Sequence, residues 1–400
     1  MRDWSSEPDM VRGRSTELRE DAGSSPVVTT DLPQRRQLVV GSRSIPVIFP
    51  NRRDPRLKLA AVITALQVLG QAALGFRVSI AQILVCLGTC ALVDAAVMLR
   101  REGVLVWPAS ALLTGNSVAF ILRTSGTEHG DWWSLNGIQY FILACLLSLL
   151  SKYLIRPGGK HIFNPSNIGL VWVLLIVGPT KVFPQYLWWG PNGAPVIAAL
   201  AVILVGAVWI LRSVGMVRMA LSFMVPFALL LGIFAASGRS FFAIWHDGPV
   251  EGAEYWFNIV TSPEVLIFVF FMMSDPQTAP KDRRGRMVYG AATAVVAAGL
   301  IYFQPTEFGI KVAILASLTA VCGVVPFIEK VARPGDARGS VPSPGRAEPV
   351  SRRLTDSVRH PAVAAAAVIA VAAPVDAAAL SNEKQIVLIE RGLTGEANPQ

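Results

Sequence analysis

The sequence predicts an all-α integral membrane protein with about ten transmembrane helices. Of its 400 residues, 52% are hydrophobic and only 16% are charged, whereas a soluble protein carries about a quarter charged residues. Ten apolar runs are each long enough to cross a bilayer core of ~30 Å as a helix. They cover residues 57–76, 78–99, 104–122, 137–155, 168–182, 194–211, 217–236, 257–273, 287–303 and 312–328.

Basic residues between the runs predict the orientation of the chain. With a cytoplasmic N-terminus, the inner loops hold thirteen Lys and Arg residues and the outer loops hold five, as the positive-inside rule requires. The outer five are Arg77, Arg123, Lys181, Arg239 and Lys311. The net charge of +9 therefore reflects membrane orientation, and no nucleic-acid partner is expected.

The composition divides the chain into four segments. Residues 1–54 are rich in Arg, Ser and Pro and predict a disordered basic cytoplasmic tail, and residues 55–334 form the ten-helix membrane domain. Residues 335–360 read as a flexible linker. Residues 361–400 hold an Ala-rich marginal helix and a polar tail, because alanine gives little hydrophobic driving force for an eleventh span.

Asp94 is a carboxylate inside an apolar run, which is costly enough to count as a functional candidate. It lies one to two helical turns before Arg100 and Arg101. Two interpretations stay open: Asp94 reaches out to pair with those arginines, or it belongs to an ion or proton path.

Thr114, Gly115 and Asn116 interrupt the third run near its middle. Small polar residues allow neighbouring helices to approach closely. Alternatively, the glycine loosens the helix and frees carbonyl groups to line a cavity. Thr114 and Asn116 join Asp94 as candidates for an ion path.

The stretch "KHIFNPSN", residues 160–167, precedes the fifth run. Asn164 is a suitable helix N-cap and Pro165 suits the first helical position, so the stretch is complete as a start signal. The functional alternative is that Lys160, Asn164 and Asn167 bind an anion or phosphate at the positive end of the helix dipole.

A parallel stretch, "FMMSDPQTAPKDRRGR" at residues 271–286, follows the eighth run. Asp275 precedes Pro276, which predicts that the helix ends there and leaves carbonyl groups near Ser274 and Thr278. On the predicted topology, these residues lie on the same cytoplasmic side as the Asn-Pro-Ser-Asn stretch. The sequence therefore predicts one shared site.

Other site classes receive little support. The four cysteines, Cys86, Cys90, Cys145 and Cys322, all fall in apolar runs and match no zinc or disulfide spacing, so packing is the favoured role. His246 stands among scattered carboxylates without metal-ligand spacing. No nucleophile–base arrangement points to a hydrolase or transferase.

At these residues the sequence resembles the family of the Rnf complex D subunit and the B subunit of sodium-translocating NADH:quinone oxidoreductase. The resemblance rests on "SALLTG" (110–115), "GGKHIFNPSNIGLVWVLLIVGP" (158–179) and "FFMMSDPQTAPKDRRGRMVYGA" (270–291). A weaker match runs through residues 309–334. Together these pieces span the membrane region, about 55–334, in the family's order.

The resemblance implies two five-helix repeats in inverted orientation, because an odd number of helices inverts the second repeat. It also implies a subunit of a membrane complex that passes electrons and moves sodium ions or protons. The expected setting is the bacterial inner membrane, with the lipid bilayer and partner membrane or redox subunits around it.

One departure from the family pattern changes the expected cofactor. Family members attach FMN through a threonine in an S/T-G/Q-A-T-P-like motif, whereas the corresponding loop here, "PTKVFPQYLWWGPNGAP", lacks that motif around Thr180. A non-covalent flavin, FMN or riboflavin, is therefore expected rather than covalent FMN. The "KHIFNPSN" wording resembles the shorter UnbU-type branch, whose members are encoded with enediyne biosynthesis genes.

Three functions remain open. The first is a redox subunit that holds a flavin near the cytoplasmic face, with Asn164, Asn167 and the basic loop on polar or phosphate groups and Asp275 and Thr278 on the ring. The second is an ion or small-solute transporter. The third is a membrane scaffold for a biosynthetic or export assembly, docked through the N-terminal tail.

Overall fold

The computed structural model describes residues 35–40, 43–50, 54–156, 159–190 and 193–331. Most of the predicted tail, the predicted linker at 335–360 and the Ala-rich segment at 361–400 lie outside these described residues. The described part is mostly helical, as the apolar runs predict.

Five helices form the first half, and side-chain caps start the first, second and fifth of them. Asp54 accepts a hydrogen bond from the Arg56 backbone N–H at the start of α1. Ser79 and Gln82 form a reciprocal capping box at the start of α2. The helices are α1 (Pro55–Ala73), α2 (Ile80–Glu102), α3 (Ala109–Ile121), α4 (Ile138–Leu154) and α5 (Pro165–Val177).

The second half contains longer helices and one irregular helix. These are α6 (Ala194–Val214), α7 (Val217–Ala236), α8 (Gly252–Val260), α9 (Pro263–Ile267), α10 (Arg283–Ile301) and α11 (Glu307–Val331). A π-helical segment, Phe268–Met272, continues α9. In this segment the Met273 N–H bonds to the carbonyl of Phe268, five residues earlier, at 2.9 Å.

Each of the ten apolar runs overlaps one of these helical segments. Among the described residues, five segments are long and apolar enough to cross a membrane: α2, α6, α7, Gly252–Met272 and Glu307–Val325. Helices α3, α4 and α5 are apolar but only 13, 17 and 13 residues long. The membrane class is thus confirmed, while the count of ten spans stays a prediction.

Short strands add to the purely helical prediction. β1 (Arg35–Val40) and β2 (Arg43–Ile48) pair antiparallel, and β2 pairs parallel with β3 (Leu105–Val106). The first two strands fall inside residues 1–54, so the prediction of disorder was wrong for that stretch. Its β-branched residues favour strands, and β3 supplies a pairing partner distant in sequence.

Two other strand pairs connect helix ends. β4 (Leu122–Thr124), directly after α3, pairs with β5 (Val182–Pro184), which follows α5. β6 (Ser240–Phe242) pairs with β7 (Pro249–Glu251) between α7 and α8. Both pairs are antiparallel. They lie beyond the C-termini of α3, α5 and α7.

Glycines set the closest helix contacts. A Cβ atom on Gly115 of α3 would lie 2.6 Å from the carbonyl oxygen of Cys86 on α2, so α3 can approach α2 only with glycine there. The same holds for Gly290 of α10, whose Cβ would lie 2.6 Å from the carbonyl oxygen of Met219 on α7. Helix α3 runs through Gly115 unbroken, which supports close packing over a loosened helix.

The helix pairing of the first half recurs in the second. Helix α2 packs on α4 and α4 on α5, and correspondingly α7 packs on α10 and α10 on α11. Contacts of α1 with α6, and of α5 with α11, join the halves. This pattern is the one that two repeats would give, and their inverted relation stays a prediction.

Candidate functional site at the junction of the two halves

Asn164 begins α5 and also binds the other half of the protein. Its Oδ1 accepts hydrogen bonds from the Asn167 backbone N–H at 3.2 Å and from the Ser166 hydroxyl at 3.0 Å. Its Nδ2 donates to the carbonyl of Met272 at 3.1 Å. The predicted N-cap is confirmed, and the same side chain also holds the end of the π-helical segment.

The segment after Met272 turns sharply. The Asp275 carboxylate accepts a hydrogen bond from the backbone N–H of Gln277 at 3.0 Å, and its carbonyl accepts from the N–H of Ala279 at 3.0 Å. The Ser274 hydroxyl donates back to the carbonyl of Phe270. The helix therefore ends ahead of Pro276, as the Asp-Pro pair predicts.

A cavity of about 230 Å³ opens between α1, α3, α5 and the π-helical segment. We call it the junction cavity. Its walls are partly apolar, with Ile63, Leu113, Phe120 and Phe271 among them. Its polar lining includes Arg56, Ser110, Thr114, Ser117, His161, Asn164, Ser166, Ser274, Asp275 and Gln277.

Two ionisable groups on the loops of the junction cavity have shifted pKa values. Burial, together with Lys152, Arg156 and Arg56 nearby, lowers the pKa of His161 to about 4, so the imidazole is neutral at pH 7. Burial raises the pKa of Asp275. Both shifts favour the uncharged form, as partly apolar surroundings require.

Four of the predicted site residues line the junction cavity, namely Thr114, Asn164, Ser274 and Asp275. Lys160 is exposed and is not among the lining residues. Thr278 is buried beneath the turn, with its hydroxyl 3.5 Å from the Asp275 carbonyl. The junction cavity therefore brings part of the proposed set together, and one shared binding site stays a prediction.

Asn167 has a packing role in this structure. Its Nδ2 donates to the carbonyl of Leu315 at 2.8 Å and to the hydroxyl of Thr319 at 2.9 Å, both on α11. It is 1% exposed and does not line the junction cavity. Asn167 thus joins α5 to the second half one turn beyond Asn164.

The proposed ion-path residues Asp94 and Asn116 lie away from the junction cavity. Asp94 pairs with Lys152 at 2.9 Å and accepts a hydrogen bond from Tyr153, both on α4. Pairing with Arg100 and Arg101 was therefore wrong: α2 packs against α4, which brings Lys152 to the carboxylate. The Asn116 amide faces α1, 3.4 Å from the Thr64 hydroxyl.

Comparison with protein families gives a match in the second half of the membrane domain. Residues 185–337 match the NQR2, RnfD, RnfE family. A search of curated proteins gave no match.

The NQR2, RnfD, RnfE match confirms the resemblance read from the later motif at residues 270–291, and it includes Ser274, Asp275 and Thr278. The Asn-Pro-Ser-Asn stretch precedes the matched residues, so its link to the family rests on its wording and on the Asn164–Met272 hydrogen bond.

The matched residues also include a buried charge cluster that no sequence pattern indicated. Lys311 is 4% exposed, with its Nζ 3.8 Å from Oε2 of Glu264, an ion-pair distance that exceeds hydrogen-bonding range. Glu307, one turn before Lys311, is 5% exposed. The placement of Lys311 in an outer loop was wrong, because α11 begins at Glu307 and carries Lys311 inside the bundle. We call Glu264, Glu307 and Lys311 the buried triad.

Tryptophans and a second cation surround the triad. Nε1 of Trp189 donates to Glu264 at 3.0 Å, and Nε1 of Trp245 donates to Glu307 at 2.9 Å. Glu307 also accepts the backbone N–H of Leu187. Arg123, 6% exposed, lies over the Tyr186 ring at 3.9 Å and lines a small cavity together with Glu307 and Lys311. Arg123 was predicted in an outer loop, but β4 holds it inside.

Two small cavities border the triad, and one of them adjoins the junction cavity. One of about 20 Å³ is lined by Glu264 and Lys311, and it shares Ile121, Ile267 and Met272 with the junction cavity. The other, of about 10 Å³, lies beyond Lys311, toward Arg123. Each has room for about one water molecule. Three apolar side chains thus separate the junction cavity from the buried charges.

Metal and thiol chemistry receive no support from the described residues. Among them, no group of three His, Cys, Asp or Glu side chains is placed to hold a metal ion. His246 pairs with Glu254 at 3.4 Å. The four cysteines are free thiols buried in the core, in agreement with a packing role.

Proposed function

We propose that the protein is a membrane subunit of an Rnf/Nqr-like electron-transport system and that the junction cavity holds a flavin without a covalent bond. The observation that carries the proposal is the meeting of Asn164, Ser274 and Asp275 around one cavity. These residues come from two segments more than 100 positions apart, and both segments contain motifs that resemble the family.

The lining of the junction cavity suits an isoalloxazine ring. Phe120, Phe271 and Ile63 offer apolar surface for the ring faces, while Thr114, Ser117 and Gln277 offer donors and acceptors for a polar edge. Arg56 in the lining provides a positive charge for a ribityl or phosphate group. A bound flavin would supply one- and two-electron redox chemistry there.

Covalent attachment is not part of the proposal. Thr180 is exposed and lies beyond the C-terminus of α5, whereas the junction cavity is at the N-terminus of that helix. The residues around Thr180 also lack the attachment motif.

The test is the colour of the full chain purified in mild detergent. We expect flavin absorbance and fluorescence at a stoichiometry approaching one per chain, with all flavin released by acid precipitation. Ser117→Phe fills the junction cavity and should remove the flavin, whereas Ser237→Phe, at the exposed end of α7, should keep it. Folded wild-type protein without flavin, also after incubation with FMN or riboflavin, would contradict the proposal.

A second candidate function, ion translocation, is favoured by the buried triad and the cavities beside it. Charged groups inside a membrane domain commonly mark ion or proton paths. Lys311 lines both small cavities, so a water molecule in each would meet the same ammonium group. Movement of the Lys311 ammonium group between Glu264 and Glu307 would leave one of these carboxylates free to accept a proton.

Ion flux in proteoliposomes tests this second candidate. Glu264→Gln keeps the side-chain shape and should abolish pH-dye or sodium flux, whereas Glu251→Gln on the exposed strand β7 should leave it unchanged. Asp94→Asn and Asp275→Asn test the two candidate carboxylates that are predicted toward the cytoplasmic face. Flux that survives all three substitutions, Glu264→Gln, Asp94→Asn and Asp275→Asn, would remove these residues from any path.

Other parts of the sequence prediction remain proposals of narrower scope. They are the UnbU-type branch with its enediyne biosynthesis genes, the bacterial inner membrane and the cytoplasmic N-terminus. The scaffold function depends on a tail that lies mostly outside the described residues. Co-purification of a partner that is lost when residues 1–53 are deleted would support it.

A further inference from the structure

Four arginines surround a surface pocket where α6 ends and where α7 and α10 begin, away from the junction cavity. The pocket has a volume of about 370 Å³, and its charged lining consists of Arg212, Arg218, Arg283 and Arg286. We call it the arginine pocket. Gly215, with φ of +67°, turns the chain from α6 into α7 and forms part of its wall. No carboxylate is among its lining residues.

The positive charge of the arginine pocket has little compensation within the described part of the chain. None of the four guanidinium groups makes an ion pair with a described carboxylate. The neighbouring Asp282 is directed to its own helix, because its Oδ2 accepts the Gly285 N–H at 2.6 Å as the N-cap of α10. Arg286 is held in place by the carbonyls of Pro280 at 2.9 Å and Gly215 at 3.4 Å.

The first turn of α7 adds unpaired backbone donors to the arginine pocket. Its N-cap residue, Met216, makes no side-chain capping hydrogen bond. The first N–H groups of a helix have no acceptor within the helix, so an uncapped N-terminus favours an anion. Val217, Arg218 and Met219, which contain these N–H groups, all line the pocket.

Exposed apolar side chains lie close to the arginine pocket in the sequence of α7 and α10. Leu221 and Val225 on α7 are 57% and 56% exposed, and Val288 on α10 is 51% exposed. These residues lie within about two helical turns after Arg218 or Arg286, on segments that contain or overlap apolar runs. An occupant with a phosphate head and hydrocarbon chains would match both surfaces at once.

We propose that the arginine pocket binds the phosphate headgroup of an anionic phospholipid whose acyl chains lie along α7 and α10. Guanidinium groups bind phosphate oxygens in a bidentate manner, and basic pockets between helix ends suit such headgroups. Four arginines exceed the single charge of one phosphodiester. A lipid with two phosphates, such as cardiolipin, is therefore expected to bind more tightly than phosphatidylglycerol. This inference does not depend on a flavin or an ion path.

Native mass spectrometry and lipid titration of the full chain in detergent test the proposal. The probes are cardiolipin, phosphatidylglycerol, phosphatidylcholine and inorganic phosphate. We expect retained anionic lipid on the wild type, weaker binding at high salt, and little effect of phosphatidylcholine. Each arginine removed should weaken binding about fivefold, and the double variant Arg218→Gln/Arg283→Gln roughly 25-fold.

Arg284→Gln is the matched control, because Arg284 is exposed on the same helix end but does not line the arginine pocket. It should bind lipid within about twofold of the wild type. Equal binding of phosphatidylcholine, or an equal loss in Arg284→Gln and the double variant, would overturn the proposal. Binding of inorganic phosphate as tight as that of the lipids would show an anion site without lipid selectivity, and would equally overturn it.

Discussion

The side-chain amide of Asn164 donates a hydrogen bond to the carbonyl oxygen of Met272, 108 positions away in the sequence, at 3.1 Å. The carbonyl belongs to the end of a π-helical segment, where backbone groups lack regular partners. The other side of the same amide caps α5. Asn164 therefore both caps the start of α5 and joins that helix to the π-helical segment.

Replacing Asn164 with Asp separates these two uses. Aspartate keeps the cap acceptor but loses the N–H donor and places negative charge against the Met272 carbonyl. We expect a loss of about 1–3 kcal/mol in unfolding free energy, because a buried acceptor loses its donor. Thermal unfolding in detergent measures it. Asn258→Asp is the control, since there the backbone carbonyl is the group that bonds to Trp188; similar losses in both variants would contradict the assigned bond.

Stability should decrease as the pH falls from about 6.5 toward 4, and His161 is the cause. The folded-state pKa of about 4 lies below the ordinary value of 6.5, so the unfolded chain takes up the proton first in this window. Unfolding midpoints measured between pH 7.5 and 4.5 should decline less in His161→Gln. His129→Gln, at an exposed site, should follow the wild type.

Asp275 has the opposite effect to His161 on how stability depends on pH. Burial raises its pKa, so the folded state takes up this proton more readily and gains stability as the pH falls. In Asp275→Asn this opposing contribution is absent, and the acid destabilisation should become steeper. A decline of the midpoint no steeper than in the wild type would contradict the pKa direction.

Gly115→Ala should destabilise the first half. The added Cβ would lie 2.6 Å from the Cys86 carbonyl oxygen, so α2 and α3 must separate. Overpacking of this kind costs about 1–3 kcal/mol, measurable by thermal unfolding. Gly88→Ala on α2, where the new methyl meets nothing within 4 Å, should instead be neutral or stabilising by up to about 1 kcal/mol.

Lys311→Met should destabilise more than the double change Lys311→Met/Glu264→Gln. The single substitution leaves buried carboxylates without their cation, which costs about 3–5 kcal/mol. The second substitution removes one of those charges and should restore part of the loss. Thermal unfolding of both single variants and the double variant gives the coupling; additive effects would show that the 3.8 Å pair is not energetically linked.

Positions of helices and caps could be predicted because they depend on nearby residues. The Asn164 cap and the helix end before Pro276 follow from local backbone chemistry. The shared cavity was predictable only in outline, from the side of the membrane to which each loop was assigned. Arg56 and His161, which complete its polar lining, gave no pattern of their own.

Contacts between distant helices were beyond the reach of the sequence. Asp94 had two plausible arginines nearby, yet its partner is Lys152 on α4, which only the α2–α4 packing reveals. Lys311 resembled a loop residue because it follows a polar stretch at the start of a run. Its ion pair with Glu264 required the fold to place α9 beside α11.

Asn164 and Asn167, one helical turn apart, attach α5 to the π-helical segment and to α11 by separate buried bonds. A sliding displacement of one half past the other must break both attachments together. Helix α5 is consequently fixed to both segments. A rearrangement that keeps both attachments has to come from bending in the turns that connect the helices.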